Sequence, residues 1–152
     1  MDRRTALAGM LAAGLATAGC DLLSREPPAP HALQGLLDQT RSLRDLYQRT
    51  IAAHADLADR LTPLRKDHQA HIAALAELIG PSASASPSGS PSAGADVPPD
   101  PKAAVAALLK AEQVAQEAAV KVCLTTRREY AGLVGSIAAC RATHREVLRE
   151  RA

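Results

Sequence analysis

Three features of the 152-residue sequence predict an all-α fold. Apolar residues recur at spacings of about three, four and seven through four long segments. Helix-start and helix-stop residues bound those segments. One stretch, residues 80–100 (GPSASASPSGSPSAGADVPPD), is Ser, Pro, Gly and Ala with almost no large apolar side chain, so it cannot offset the entropy of folding. The prediction is a four-helix bundle over residues 31–152, built as two helical hairpins joined by a long flexible crossover.

The first helix follows a Pro-containing spacer at 24–30 and carries Leu33, Leu36, Leu37, Leu43, Tyr47, Ile51 and His54 on one stripe. The second carries Leu57, Leu61, Leu64, His68, His71, Leu75 and Leu78. Asp56 is its candidate N-cap and Gly80-Pro81 its stop. Pro63 either kinks it or takes the first position of a fresh start capped by Thr62. Asp100 caps the third helix, with Pro101 in the first turn and Val105, Leu108, Leu109, Glu112, Ala115, Ala119 and Val122 on its face. The fourth opens on a capping-box pattern, Thr126 to Glu129, and its stripe is Tyr130, Val134, Ile137, Arg141, His144 and Leu148.

The second and fourth helices echo each other. A shift of 73 residues lays Leu57 on Tyr130, Leu61 on Val134, Leu64 on Ile137, His71 on His144 and Leu75 on Leu148. A helix of about 24 residues is about 36 Å long. A 21-residue linker reaches about 60 Å when extended, enough to return along the bundle and set the third helix parallel to the second. That arrangement resembles the ferritin-like fold, with its long crossover between the second and third helices. The resemblance implies inward Glu residues on the first and third helices and Glu-x-x-His on the second and fourth. Glu112 matches the third-helix carboxylate, and His71 and His144 match the two histidines. His68 and Arg141 stand where the Glu partners belong, and Thr40 or Leu43 stands where the first-helix carboxylate belongs. The chain therefore reads as a ferritin-like bundle without the di-iron centre.

The first twenty residues, MDRRTALAGMLAAGLATAGC, have the grammar of an export signal: a basic start, an apolar stretch too short to anchor in a bilayer, then small residues. Ala18-Gly19-Cys20 resembles the end of a bacterial lipoprotein signal, with Thr17 at the usual aliphatic place and Leu15 further back. Arg3-Arg4 resembles a twin-arginine export signal. The resemblance implies cleavage after residue 19, a lipidated Cys20 and a tether over 20–30. Two acyl chains on Cys20 are enough for stable anchoring. The mature domain would then lie at the outer face of the cell membrane, in contact with an envelope protein or wall component.

Removing Arg3, Arg4 and Asp2 with the signal leaves 16 Lys plus Arg, from 18, against 15 Asp plus Glu, from 16. That balance excludes the basic surplus a nucleic-acid partner requires. With no Trp or Phe and only two Tyr, the chain has no aromatic platform for stacking bases or sugars. No Gly-rich phosphate loop, nucleophile elbow or His-Glu-x-x-His motif appears, so an enzyme is not expected. His68, His71, Glu112 and His144 form the candidate cluster. The histidines are read first as interior groups hydrogen-bonded to Glu112 or backbone and carrying no metal, alternatively as ligands, with Glu112, of a single Zn, Cu or Fe ion, and otherwise as solvent-facing. Asp67, next to His68, is read as solvated because helix neighbours point to different faces. Cys123 and Cys140 pair only if the last turn falls at residues 131 and 132, where Gly132 allows it. A fourth helix starting at Arg127 instead puts Cys140 about 20 Å along the helix, beyond the ~7 Å Cα separation a disulfide spans.

Overall fold

The computed structural model describes residues 31–81 and 96–150. The signal, Cys20 and the tether lie outside the described residues, as does most of the linker. The described chain is all-helical: α1 (Gln34–Ala53), a 3-10 turn (Ala55–Leu57), α2 (Ala58–Ile79), α3 (Pro101–Thr125) and α4 (Arg128–Arg149).

Most residues of the predicted stripes are buried, while Ile51, Leu57, His71, Leu78, Leu109, Val122 and Tyr130 are half-buried and α2 also buries Ile72 and Ile79. Leu33, Leu36, Leu37, Leu43 and Tyr47 of the first segment face inward, as do Leu61, Leu64 and Leu75, Val105 and Leu108, and Val134, Ile137 and Leu148. Two apolar clusters result. One joins the start of α1 and α4 to the end of α2 and α3, through Leu36, Leu75, Ala119 and Ile137. The other joins the end of α1 and α4 to the start of α2 and α3, through Tyr47, Leu61, Leu108 and Leu148. Helices α2 and α3 therefore run in the same direction, antiparallel to α1 and α4, and the linker joins opposite ends of the bundle. α1 packs on α2 and α3, and α4 on α3 and α2.

The local start and stop signals are realised unevenly. Asp100 caps α3 as expected, accepting from the Ala103 N–H at 2.7 Å, with Pro101 at the first helical position. Gly80 closes α2 with φ of 69°, a left-handed backbone that glycine adopts without strain. Asp56 lies within the 3-10 turn and does not cap α2, whose N-cap, Leu57, makes no side-chain bond. Pro63 neither stops α2 nor opens a new helix at Thr62, because α2 is continuous from Ala58. The capping box of α4 does not form: Arg127 is the N-cap without a side-chain bond, and the Thr126 hydroxyl is buried without a partner. Arg60, in the first turn of α2, donates to the carbonyls of Val147 and Leu148 at 2.8 Å each. It thereby satisfies part of the α4 terminus that the helix ladder leaves open.

The internal echo extends to the first and third helices with a shift of 72. Leu33, Leu36, Thr40, Leu43 and Tyr47 then fall on Val105, Leu108, Glu112, Ala115 and Ala119, and all ten side chains are buried. Leu108→Ala is expected to cost about 2–5 kcal/mol, whereas Asp100→Ala removes only a cap worth about 1 kcal/mol. Urea denaturation of the two variants checks the order.

Candidate functional site

Between the two apolar clusters lies a layer of buried polar side chains, most of them from the inward stripes. Glu112 of α3 is at its centre, fully buried. Its Oε1 accepts from three other helices: the Tyr47 hydroxyl of α1 at 2.8 Å, His68 Nε2 of α2 at 2.8 Å and His144 Nδ1 of α4 at 2.9 Å. Its Oε2 has no partner, and neither does His68 Nδ1. Beside this group the buried guanidinium of Arg141 donates to the Thr40 hydroxyl at 2.8 Å, the Ala115 carbonyl at 2.7 Å and Gln39 Oε1 at 3.0 Å. The Thr40 hydroxyl in turn donates to the Leu36 carbonyl at 2.6 Å. The internal echo reaches this layer too: Arg141, the counterpart of His68, meets Thr40, the counterpart of Glu112.

The charges are set by these bonds. Burial alone would raise the Glu112 carboxyl, but hydrogen bonds from His144 and His68 outweigh it and draw it from 4.5 down to about 2. Burial opposes the charged form of His144, but its hydrogen bonds to Cys140 and Glu112 raise it from 6.5 to about 10. Burial, then the charge of Glu112, pushes the Tyr47 phenol far above its ordinary range, so it stays a proton donor. Burial, then His68, lowers His71, which is held neutral. The layer thus contains a carboxylate, an imidazolium and a guanidinium, the last also lowered by burial.

Three of the four candidate residues, His68, Glu112 and His144, converge. His71 does not join them. Three residues along a helix is about 60° around it, so with His68 on the bundle axis His71 is turned toward the flank and half-buried. A di-iron centre does not fit this layer. Glu112 is its only buried carboxylate among the described residues, and two ferrous or ferric ions require several anionic oxygens.

Cys123 and Cys140 are both free. The turn falls at Thr126 and Arg127, so Cys123 lies near it, its Sγ 3.6 Å from the Ala131 carbonyl. Cys140 is twelve residues into α4, roughly 18 Å further along, with Sγ 3.3 Å from His144 Nε2. Asp67 is not merely solvated: its Oδ2 is 3.2 Å from the same nitrogen. Asp67 and His68 do point to different faces, but the His144 ring spans both, with one nitrogen on Glu112 and the other on Asp67 and Cys140. Sequence reasoning placed Tyr47 and Arg141 on inward stripes without giving either a role, although a phenol and a guanidinium at core positions require polar partners. His54, the last residue of the predicted first-helix stripe, is buried and donates from Nε2 to the Pro98 carbonyl at 2.9 Å, tying α1 to the approach of α3.

A separate cavity of about 560 Å³ opens between α1 and α3, with Leu43, Leu46 and Val114 as its apolar wall and Asp96 and Lys110 at its edge. No helix among the described residues is long and apolar enough to cross a membrane. The class defined by these features is an all-helical bundle with a buried Tyr-His-Glu-His closure. No family model matches the chain, and no curated protein or solved structure is significantly similar to it.

Three of the shifted groups, Glu112, His144 and His71, give a pH profile of stability, His71 contributing stability that is present above 6.5 and lost as pH falls below it. Glu112 contributes stability that is complete above 4.5 and lost as pH falls toward about 2. His144 contributes stability that is complete below 6.5 and lost as pH rises through about 10. Denaturant melts across pH are therefore expected to give a maximum near 6.5, with a decline on the alkaline side through His144 and on the acid side first through His71 and then through Glu112, and Glu112→Gln to flatten the limbs that Glu112 and His144 supply. Tyr47→Phe removes one hydrogen bond to the carboxylate and is expected to cost about 1.5–3 kcal/mol, read by the same melts.

Proposed function

We propose that this chain is a lipid-anchored, extracytoplasmic protein of the cell envelope, whose ferritin-like four-helix bundle is a non-enzymatic binding or structural module. The observation that carries the non-enzymatic reading is the state of Glu112. The interior carboxylate spends one oxygen on three side-chain donors and is sealed between two apolar clusters. A general base needs a substrate proton within reach, and this one is enclosed. The ferritin-like reading is supported by the up-down-down-up course of the helices, with the linker joining opposite ends. The anchoring reading is supported by the sequence ending Ala18-Gly19-Cys20 after a short apolar stretch. The cavity between α1 and α3 offers an apolar surface of the size small ligands occupy.

A second reading, a single metal ion in the interior, is favoured by the convergence of His68, Glu112 and His144, whose ligand atoms lie within 4.8 Å of one another. Against it, their separations of 2.8 and 2.9 Å are hydrogen-bond lengths. An ion there would have to displace the two imidazole N–H protons that Glu112 Oε1 accepts.

Cell fractionation of Cys20→Ala tests the proposed location. The variant is expected to leave the membrane fraction for the soluble one, or to accumulate as an uncleaved precursor. Unchanged mature size with membrane retention overturns the lipoprotein reading.

A further inference from the structure

Helices α2 and α4 each carry two metal-ligating side chains one turn apart: Asp67 and His71 on one, Cys140 and His144 on the other. Residues at this spacing share a helix face. The shift of 73 that relates the two helices lays Asp67 on Cys140 and His71 on His144. The pairs are counterparts, and they meet where α2 packs against α4.

Around His144 Nε2 the separations are 3.2 Å to Asp67 Oδ2 and 3.3 Å to Cys140 Sγ, with 4.0 Å between oxygen and sulfur. A tetrahedral ion with bonds of about 2.0–2.3 Å holds its ligand atoms about 3.3–3.6 Å apart. The two separations at His144 Nε2 are within about 0.1 Å of those edges and the oxygen–sulfur one is about 0.4 Å longer, whereas the 2.8 and 2.9 Å of the interior group fall short of them. We propose that Asp67, Cys140 and His144 bind one soft divalent cation of the zinc class at the flank between α2 and α4. Imidazole and thiolate select such an ion over magnesium or calcium, and thiolate with carboxylate neutralises its charge.

Three further observations fit. His144 turns its other nitrogen to the buried carboxylate of Glu112 at 2.9 Å, the partner that fixes the ring of a metal-bound histidine and strengthens it as a donor. The site is open, since the Asp67 side chain is 54% exposed and Cys140 is partly exposed. The ligand atoms of Asp67, Cys140 and His144 all lie within 4.8 Å of one another. On binding, the Cys140 S–H and the His144 Nε2–H each release a proton to solvent, and the metal takes their place. Affinity is therefore expected to rise with pH.

Thiol, imidazole and carboxylate in a row also describe a cysteine nucleophile with its base. Cys140 lies well inside α4, however. The backbone N–H groups around it are spent on the helix ladder, leaving no donors for a tetrahedral oxyanion.

This inference goes beyond the proposed function and stands on the packing of α2 against α4, so Cys20→Ala is expected to leave it unchanged. The test is titration of the full chain, purified in detergent without a polyhistidine tag, with Co²⁺ followed by absorption spectroscopy. One equivalent is expected, with a sulfur-to-cobalt charge-transfer band, tetrahedral d–d intensity and displacement by Zn²⁺. Cys140→Ala should abolish the sulfur band. Asp67→Asn, an exposed change that spares the core, should weaken binding with the band retained. Glu112→Gln should lower affinity roughly 10–100-fold, helical circular dichroism being recorded alongside to verify folding. Binding without a sulfur band, binding of full strength in Cys140→Ala, or no binding by the folded wild-type chain would each overturn the proposal. The first two would move the ion to the interior or elsewhere.

Discussion

One oxygen atom, Glu112 Oε1, sets the register of the bundle. Three donors from three other helices must reach it at 2.8 or 2.9 Å, and each distance constrains both the rotation and the slide of the helix that supplies it. Apart from the ring of Tyr47, the buried residues of the apolar clusters on either side are Leu, Ile, Val and Ala. Such surfaces tolerate many packings before they lose stability. A directed hydrogen bond does not, because a donor turned away by one residue, about 100°, is lost to the carboxylate and left unpaired in the core. The apolar layers supply most of the favourable free energy, while the polar layer restricts which arrangement can use it. Removing one partner from a buried charge pair costs about 3–5 kcal/mol, so these positions resist change from either side.

The hydrophobic stripes were legible because a 3.6-residue period leaves a regular mark, and the buried face of each helix follows the predicted residues closely. Gly80 and Asp100 were legible for a related reason: each acts through its own backbone neighbourhood, by a left-handed φ or a bond to a nearby N–H. The choice of His68 over His71 was not legible. Two histidines about 60° apart on a stripe roughly 100° wide both count as inward, and only the positions of α3 and α4 separate them. The start of α4 decided the cysteines, and one turn of error there moves Cys140 by about 5 Å. Asp67 is exposed, as expected, but a rule applied to one helix alone could not show that an imidazole on another helix links it to Glu112.

His144 joins two environments through a single aromatic ring. Its inner nitrogen meets a sealed carboxylate, and its outer nitrogen meets a thiol and an exposed carboxylate. Any change in what the outer nitrogen carries alters the proton or charge that the inner one shares with Glu112. Through that oxygen it also reaches Tyr47 and His68. The flank of the protein and its core are thus electrically continuous, although separated by close packing.

The order in which the chain contributes to the polar layer bears on how the protein matures. Tyr47 and His68 belong to the first hairpin, Glu112 opens the second, and His144 arrives with the last helix. A hairpin emerging alone presents a phenol and an imidazole on its inward face with nothing to receive them. Neither half completes the polar layer by itself, although the two echo each other in sequence. Acquisition of the native state therefore waits on docking of two incomplete halves, a late and long-range event. Until then the nascent polypeptide is the form most exposed to proteases and to mispairing with a second molecule of its own kind.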